Sequence, residues 1–338
     1  MTDMRAVRAS GPDDLLALAP GLLGFHPEDS VVLLTVGGAS QPFHARVDLP
    51  TDVEDIEALA DYLADVAVRG GVARVALLLY TDDACLAREV AVTLGGHLVS
   101  RSVEVVCMVR ADGLCWWRLP GELSNDDGAG TPYDVGSHPL MAQTVVEGTV
   151  VLRDRRELAE SLVGTDPQEA EEVATQADAV VSRLARSLAD SRGHRSRRHQ
   201  LGSEARWASA RIRRFLDDGE RLDTVDLARL VTMMSVHVAI RDVALAELDH
   251  ASARRHVDLW RDVVRRAPVE VRAAPATLLA FAAWLSGNGA LAWCAVECAQ
   301  EAEPDYSMAG LLASALAGAV PPSAWKPFPS TELSILTD

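Results

Sequence analysis

An α/β domain with a mixed, mainly parallel sheet, followed by an all-α, tetratricopeptide-like helical domain, is the fold class this sequence predicts. Three observations carry it. Between Val31 and Leu119 apolar strand-like runs alternate with amphipathic helical stretches. From Val225 onward helical periodicity dominates, and the last helical pairs place small residues, glycine and proline at a repeat-like spacing.

The first element is a short helix opened by Ser10, Pro12 and Asp13 in a capping-box pattern, with Leu15, Leu18 and Leu22 on one face and Pro20, Gly21 and Gly24 limiting its length. A turn, Gly24 to Ser30, leads into the charge-free strand Val31 to Val36. His26, Asp29 and Ser30 are the parts of an acyl-transfer site. A nucleophile elbow, however, follows a strand and has glycines on both sides of the serine, whereas Ser30 precedes one, so side chains bonding local backbone are expected.

After the Gly37 to Pro42 turn, His44 to Leu49 reads as a hairpin partner of the first strand, and Val53 to Val68 as a helix with acids outside. Arg74 to Tyr80 is the most continuous apolar strand, joined by a helix from Asp83 to Leu94 to a strand at Val103 to Arg110. An Asp112-Gly113 turn returns the chain as Leu114 to Leu119, which sets Arg110 opposite Cys115 and Cys107 opposite Arg118. Cys107 and Cys115 then face opposite sides of the sheet, which argues against a disulfide. Trp116 and Trp117 likewise point to opposite faces, either as packing residues or as an aromatic presented to a partner.

Thr81, Asp82 and Asp83 stand where a strand delivers its carboxyl end, the usual ligand edge of open α/β sheets. There they are candidates for small-ligand or metal binding, or for acid–base work; the plainer reading makes Thr81 and Asp82 helix N-caps and sets Asp83 where its charge suits the helix dipole. No Walker pattern or GxGxxG loop accompanies them, and no metal site or cofactor is assigned.

Thr165-Asp166-Pro167 opens a long helix to about Asp190. Between Arg183 and Arg214 stand ten arginines, among them Arg195, Arg197 and Arg198, with few aromatics nearby. A solvated connecting region, or a surface that meets the acidic first domain, is expected; nucleic-acid contact is disfavoured. In the helical half Ala280, Gly287, Ala292, Ala299 and Pro304 fall at the spacing of a tetratricopeptide unit. Cys294 and Cys298 share a helix face without completing a zinc site, and His237 reads as a hydrogen-bonded core histidine. The expected division is 1–150 for the α/β domain, 151–222 for the long helix and Arg-rich connection, 223–325 for the helical repeats and 326–338 for a disordered tail.

LLGFHPEDSVVLL, the paired tryptophans followed by Gly130-Thr131-Pro132, and the ending with Pro304-Asp305-Tyr306 and Pro321-Pro322-Ser323-Ala324-Trp325 resemble the actinobacterial family called domain of unknown function 4192. The resemblance implies no established activity. It also implies a small cysteine cluster between the tryptophans and the Gly-x-Pro, which this chain lacks, so no metal or redox role follows from it.

The composition excludes some functions. A formal charge of −17 across 338 residues, of which 49% are hydrophobic, disfavours general affinity for nucleic acid or anionic membrane. Residues 1–150 hold 9 arginines against 22 acids, and residues 151–338 hold 23 basic residues against 27 acids. The N-terminus lacks the pattern of a secretory signal, and the longest apolar run, Ala273 to Leu285, is too short to span a bilayer. Five scattered cysteines fit a reducing compartment. The expectation is a cytoplasmic protein, non-enzymatic and engaged in protein interaction or regulation through a partner or self-association. The alternative is an enzyme or small-ligand binder at the sheet edge.

Overall fold

The computed structural model describes residues 9–37, 44–52, 54–119, 128–146, 148, 150–190, 194–329, 333 and 335. The chain divides into two compact units, one formed by residues 1–157 with 318–321 and one by 158–317 with 322–338.

In the first unit, α1 (Pro12–Leu23) starts without a side-chain cap. The expected capping box is replaced by Ser10 N donating to the Asp14 carboxylate at 2.5 Å. Pro20 lies inside the helix, which runs one turn on until Gly24, at φ +83°, returns its N–H to Pro20 O. Only glycine enters that left-handed conformation without a steric penalty. Strands β1 (Ser30–Thr35), β2 (His44–Asp48), β3 (Arg74–Tyr80), β4 (Glu104–Ala111), β5 (Cys115–Arg118) and β6 (Thr131–Pro132) form one sheet in the order β2-β1-β3-β4-β5-β6.

The expectation of a mainly parallel sheet is corrected: among the six strands of the described residues, β3 and β4 alone pair in parallel, and the other strand pairs are antiparallel. The reason is topological. The helix α2 (Asp55–Arg69) carries the chain from β2 past β1 before β3 is laid down, so β1 lies antiparallel between two strands of one direction. A directly adjacent parallel pair needs a crossover helix of its own, which α3 (Ala84–Ser100) alone supplies.

One face of the sheet, Val31, Leu33, Val75, Leu77 and Leu79, packs against Ile56, Ala60, Leu63 and Ala67 of α2 and Ala87, Val90, Leu94 and Leu98 of α3. That stripe carries α3 beyond the expected end at Leu94. The opposite face, Val32, Leu34, Ala76 and Leu78, is buried as well. The stretch from Met141 onward contributes α4 (Pro139–Val146), and Leu152 bridges back in parallel to Phe25. His26 N donates to Leu152 O at 3.0 Å and Leu152 N to Gly24 O at 2.8 Å.

In the second unit α5 (Arg155–Glu160), which begins just before the division, is followed by α6 (Pro167–Asp190), α7 (His194–Asp218), α8 (Thr224–Val236), α9 (Val238–Ala246), α10 (Ala253–Arg266), α11 (Ala273–Leu285), α12 (Gly289–Ala302) and α13 (Ser307–Ala317). Every residue of α11 is buried, which makes the longest apolar run of the sequence the central helix of this unit. It forms a hairpin with α12 through Gly287, with Ala280, Ala292 and Ala299 fully buried.

Much of the stretch read as a solvated connection is the packed helix α7. Ala205, Ala208 and Ile212 form its buried stripe. Three of its arginines find acids in the sequence that follows: Arg211 with Asp226 at 2.8 Å, Arg213 with Glu247 at 2.8 Å and Arg214 with Glu220 at 2.6 Å. His237 is not a hydrogen-bonded core residue. It is half-buried at the break between α8 and α9, and its Nδ1 has no partner among the described residues. Trp325 packs edge-on against Phe281, with ring centroids 4.6 Å apart. Among the described residues no helix is long and apolar enough to cross a membrane.

Candidate functional site

The carboxyl end of β3 opens into a cleft of about 720 Å³ within the first unit. Five chain segments line it: Leu16 and Pro20 of α1, the turn His26 to Asp29, the strand exit Tyr80 to Asp82, the β-hairpin turn Ala111 to Leu114 and the loop Tyr133 to Gly136. An apolar wall from α1 thus meets a rim of carboxylates from Glu28, Asp29, Asp82, Asp112 and Asp134.

The expected triplet is divided by the geometry. Asp83 is the N-cap of α3, its carboxylate accepting from Cys85 N and Leu86 N at 2.9 Å, and it does not line the cleft. Thr81 lines the cleft, while its hydroxyl accepts from Asp83 N at 3.2 Å. Asp82 is exposed on the rim, and its carboxylate makes no hydrogen bond or ion pair with a described residue.

His26 and Asp29 enter the same cleft, but they do not form the expected turn chemistry with Ser30. Asp29 takes a left-handed conformation, φ +38°, and it is its carbonyl that bonds, accepting from Leu49 N at 2.8 Å. Ser30 is the fully buried first residue of β1, and its hydroxyl has no partner among the described residues.

Two of the rim carboxylates are committed to turns. Burial opposes ionisation of Asp112, but N–H bonds from Cys115 at 2.7 Å and Leu114 at 2.8 Å outweigh it and hold the carboxyl below its ordinary range. Hydrogen bonds from the side chain and backbone of Ser137, then from Gly136 N–H, do the same for Asp134. Tyr80 lies at the base of the cleft, its hydroxyl buried and without a partner among the described residues; burial, then the neighbouring Tyr133, push that hydroxyl well above its usual range.

Sequence reasoning missed Arg110. It is 6% exposed, its ring-stacking partner is Trp117 at 3.8 Å, and its Nη1 reaches Thr81 O at 3.3 Å and Asp82 O at 3.5 Å. The signal was a charge inside an otherwise apolar strand end, where burial demands partners.

The β-hairpin register also differs from expectation. Ala111 pairs with Trp116 and Arg110 with Trp117, because Gly113 and Leu114 form the two-residue loop and Asp112 bonds back to Cys115. The shift of two residues preserves the faces, and Cys107 and Cys115 are both free. Trp116 and Trp117 are half-buried. Trp116 Nε1 donates to Asp13 at 3.1 Å, and Trp117 Nε1 to Gly128 O at 3.1 Å. A Cβ on Gly130 would lie 2.5 Å from the Trp117 ring, so the glycine of the Gly-x-Pro element is the space that lets this ring pack.

The side chains of Arg195 and Arg197 lie outside the described residues, as do residues 38–43, 120–127 and most of the stretch after 329; Arg198 is exposed on α7. Cys294 is buried and Cys298 half-buried, where burial raises the Cys298 thiol above its usual range. Among the described residues no group of three or more His, Cys, Asp or Glu side chains is arranged to hold a metal ion.

A family model described as domain of unknown function, DUF4192, matches residues 12–323 of the chain. No curated protein and no solved structure matches it.

Proposed function

The chain belongs to the DUF4192 family, and we propose that it is a regulatory protein whose α/β unit binds a small, positively charged organic ligand in the cleft at the carboxyl end of β3. The cleft carries this reading: an apolar wall from Leu16 and Pro20 beside the carboxylates of Glu28, Asp29 and Asp82, in a volume that suits a small metabolite. Recognition is favoured over catalysis because the titration shifts run the wrong way for a general acid. Asp112 and Asp134 are held ionised, Asp83 is spent on α3, and the Tyr80 hydroxyl is pushed further from neutrality.

A thermal-shift screen of the full chain with di- and polyamines, nucleotides, divalent metals and common metabolites tests it. A cationic compound raises the melting temperature, and Asp82→Asn weakens that effect. No shift with any amine, or an equal shift in Asp82→Asn, overturns the reading.

Docking of a protein partner or a second copy by the helical unit is the second reading. It is supported by the α11–α12 hairpin, where buried small residues, Gly287 and the following Pro304 fit a tetratricopeptide-like pair. A monomer on sizing, with no partner retained from lysate, counts against it. The scattered free cysteines fit a cytoplasmic setting.

A further inference from the structure

A second cavity, about 330 Å³, lies within the helical unit where the turn Gly164 to Asp166 meets the C-terminal half of α10. The two walls are in direct contact, since a Cβ on Gly164 would run into the carbonyl oxygen of Arg265. Four arginines line the cavity, and they fall into two kinds. Arg266 is held by Glu169 at 2.7 Å and Asp262 at 2.9 Å, and Arg221 by Asp262 at 2.7 Å. Those two carboxylates are thereby spent.

Arg261 and Arg265, one turn apart on α10, have no carboxylate at ion-pair distance among the described residues. Arg261 donates to the neutral Ser161 Oγ at 3.0 Å, and Arg265 is exposed with no side-chain hydrogen bond to a described residue. Of the remaining acids, Asp258 is a counter-charge to Arg261, but it offsets less than the neighbouring Arg265 imposes. Asp166 accepts from Gln168 N and Glu169 N at the head of α6, and burial raises the Asp258 carboxyl while the nearby Arg261 lowers it. Burial, then the adjacent Arg265, pull the Arg261 guanidinium below its ordinary range. Two neighbouring cations in a concave site, with no ion pair of their own and a mutual repulsion that outweighs Asp258, are relieved by a bound anion.

We propose that this pocket binds an oxyanion of the phosphate class through the guanidinium groups of Arg261 and Arg265, beside Thr165 of the turn that opens α6. The site is independent of the cleft in the other unit. Thermal unfolding of the full chain with rising inorganic phosphate, against sodium chloride at matched ionic strength, tests it. Phosphate gives a saturable rise in melting temperature, about 5 °C at a hundredfold excess over Kd. Arg265→Gln weakens phosphate binding about tenfold or more, and Arg261→Gln does the same. A parallel titration with phenyl phosphate separates the sources: binding of both compounds assigns a phosphorylated small molecule, and binding of inorganic phosphate alone a free anion. No saturable effect, an equal rise with chloride, or undiminished affinity in Arg265→Gln overturns the proposal.

Discussion

His256 is fully buried, its Nε2 hydrogen-bonded to Glu247 O at 2.9 Å and its Nδ1 without a partner among the described residues. Protonation would place a second N–H where no acceptor waits, and burial lowers the pKa to about 4 from 6.5. His44 on β2 is lowered to about 4 by burial as well. Above pH 6.5 neither the folded nor the unfolded chain binds the proton, and stability is full. Between pH 6.5 and 4 the unfolded chain takes up a proton that the fold refuses, so each histidine withdraws up to about 3 kcal/mol, and below pH 4 the loss levels off. Denaturant unfolding at steps from pH 7 to 4 should show this fall, with a shallower slope in His256→Gln. At the same scale, Asp83→Ala should cost about 1 kcal/mol through the lost cap, while Asp82→Ala should change stability by less than about 0.5 kcal/mol. The melting curves of the two variants separate a capping carboxylate from one available to a ligand. A cap at this helix start was legible because capping depends on neighbours two and three residues away, but the sequence places it on Thr81 and Asp82, whereas Asp83 holds it. His26 was not legible as a cleft residue, because the segments opposite it lie more than fifty positions further along the chain.

At the scale of elements, hydrophobic period located the strands and helices well, and it failed where a long-range partner decides the outcome. The stripe Ala87, Val90, Leu94 and Leu98 carries α3 past its paired glycines, because Gly95 lies against the Met108 side chain and packing holds the turn that propensity would break. The arginine-rich stretch reads as solvated when its charges are counted alone, yet it folds as α7 because its acids are supplied by later elements. The Gly130 to Trp117 contact gives a test at this scale. Gly130→Ala should destabilise the β5–β6 corner by about 1–3 kcal/mol and shift the tryptophan emission, since the ring must leave its stack on Arg110. Unchanged stability and emission would show that the corner adapts at no cost.

At the scale of the whole molecule, the alternation of strands and helices announced an α/β unit followed by helices, but not the strand order. Hairpin signals are local, whereas the passage of α2 beyond β1 is visible only in three dimensions. The formal charge of −17, with arginines of α7 already paired internally, predicts no salt-sensitive retardation of DNA or RNA by the full chain in a gel-shift assay. A salt-dependent shift at low micromolar protein would overturn that expectation.

The bridge between Phe25 and Leu152 joins the first turn of the α/β unit to a segment that follows its sheet, with more than a hundred residues between them. During synthesis, therefore, β1 to β4 can pair while the backbone groups of Gly24 and His26 still lack their partners. That contact closes only once Leu152 has left the ribosome, so that its formation is timed by translation of the segment after the sheet and not by the pairing of the central strands.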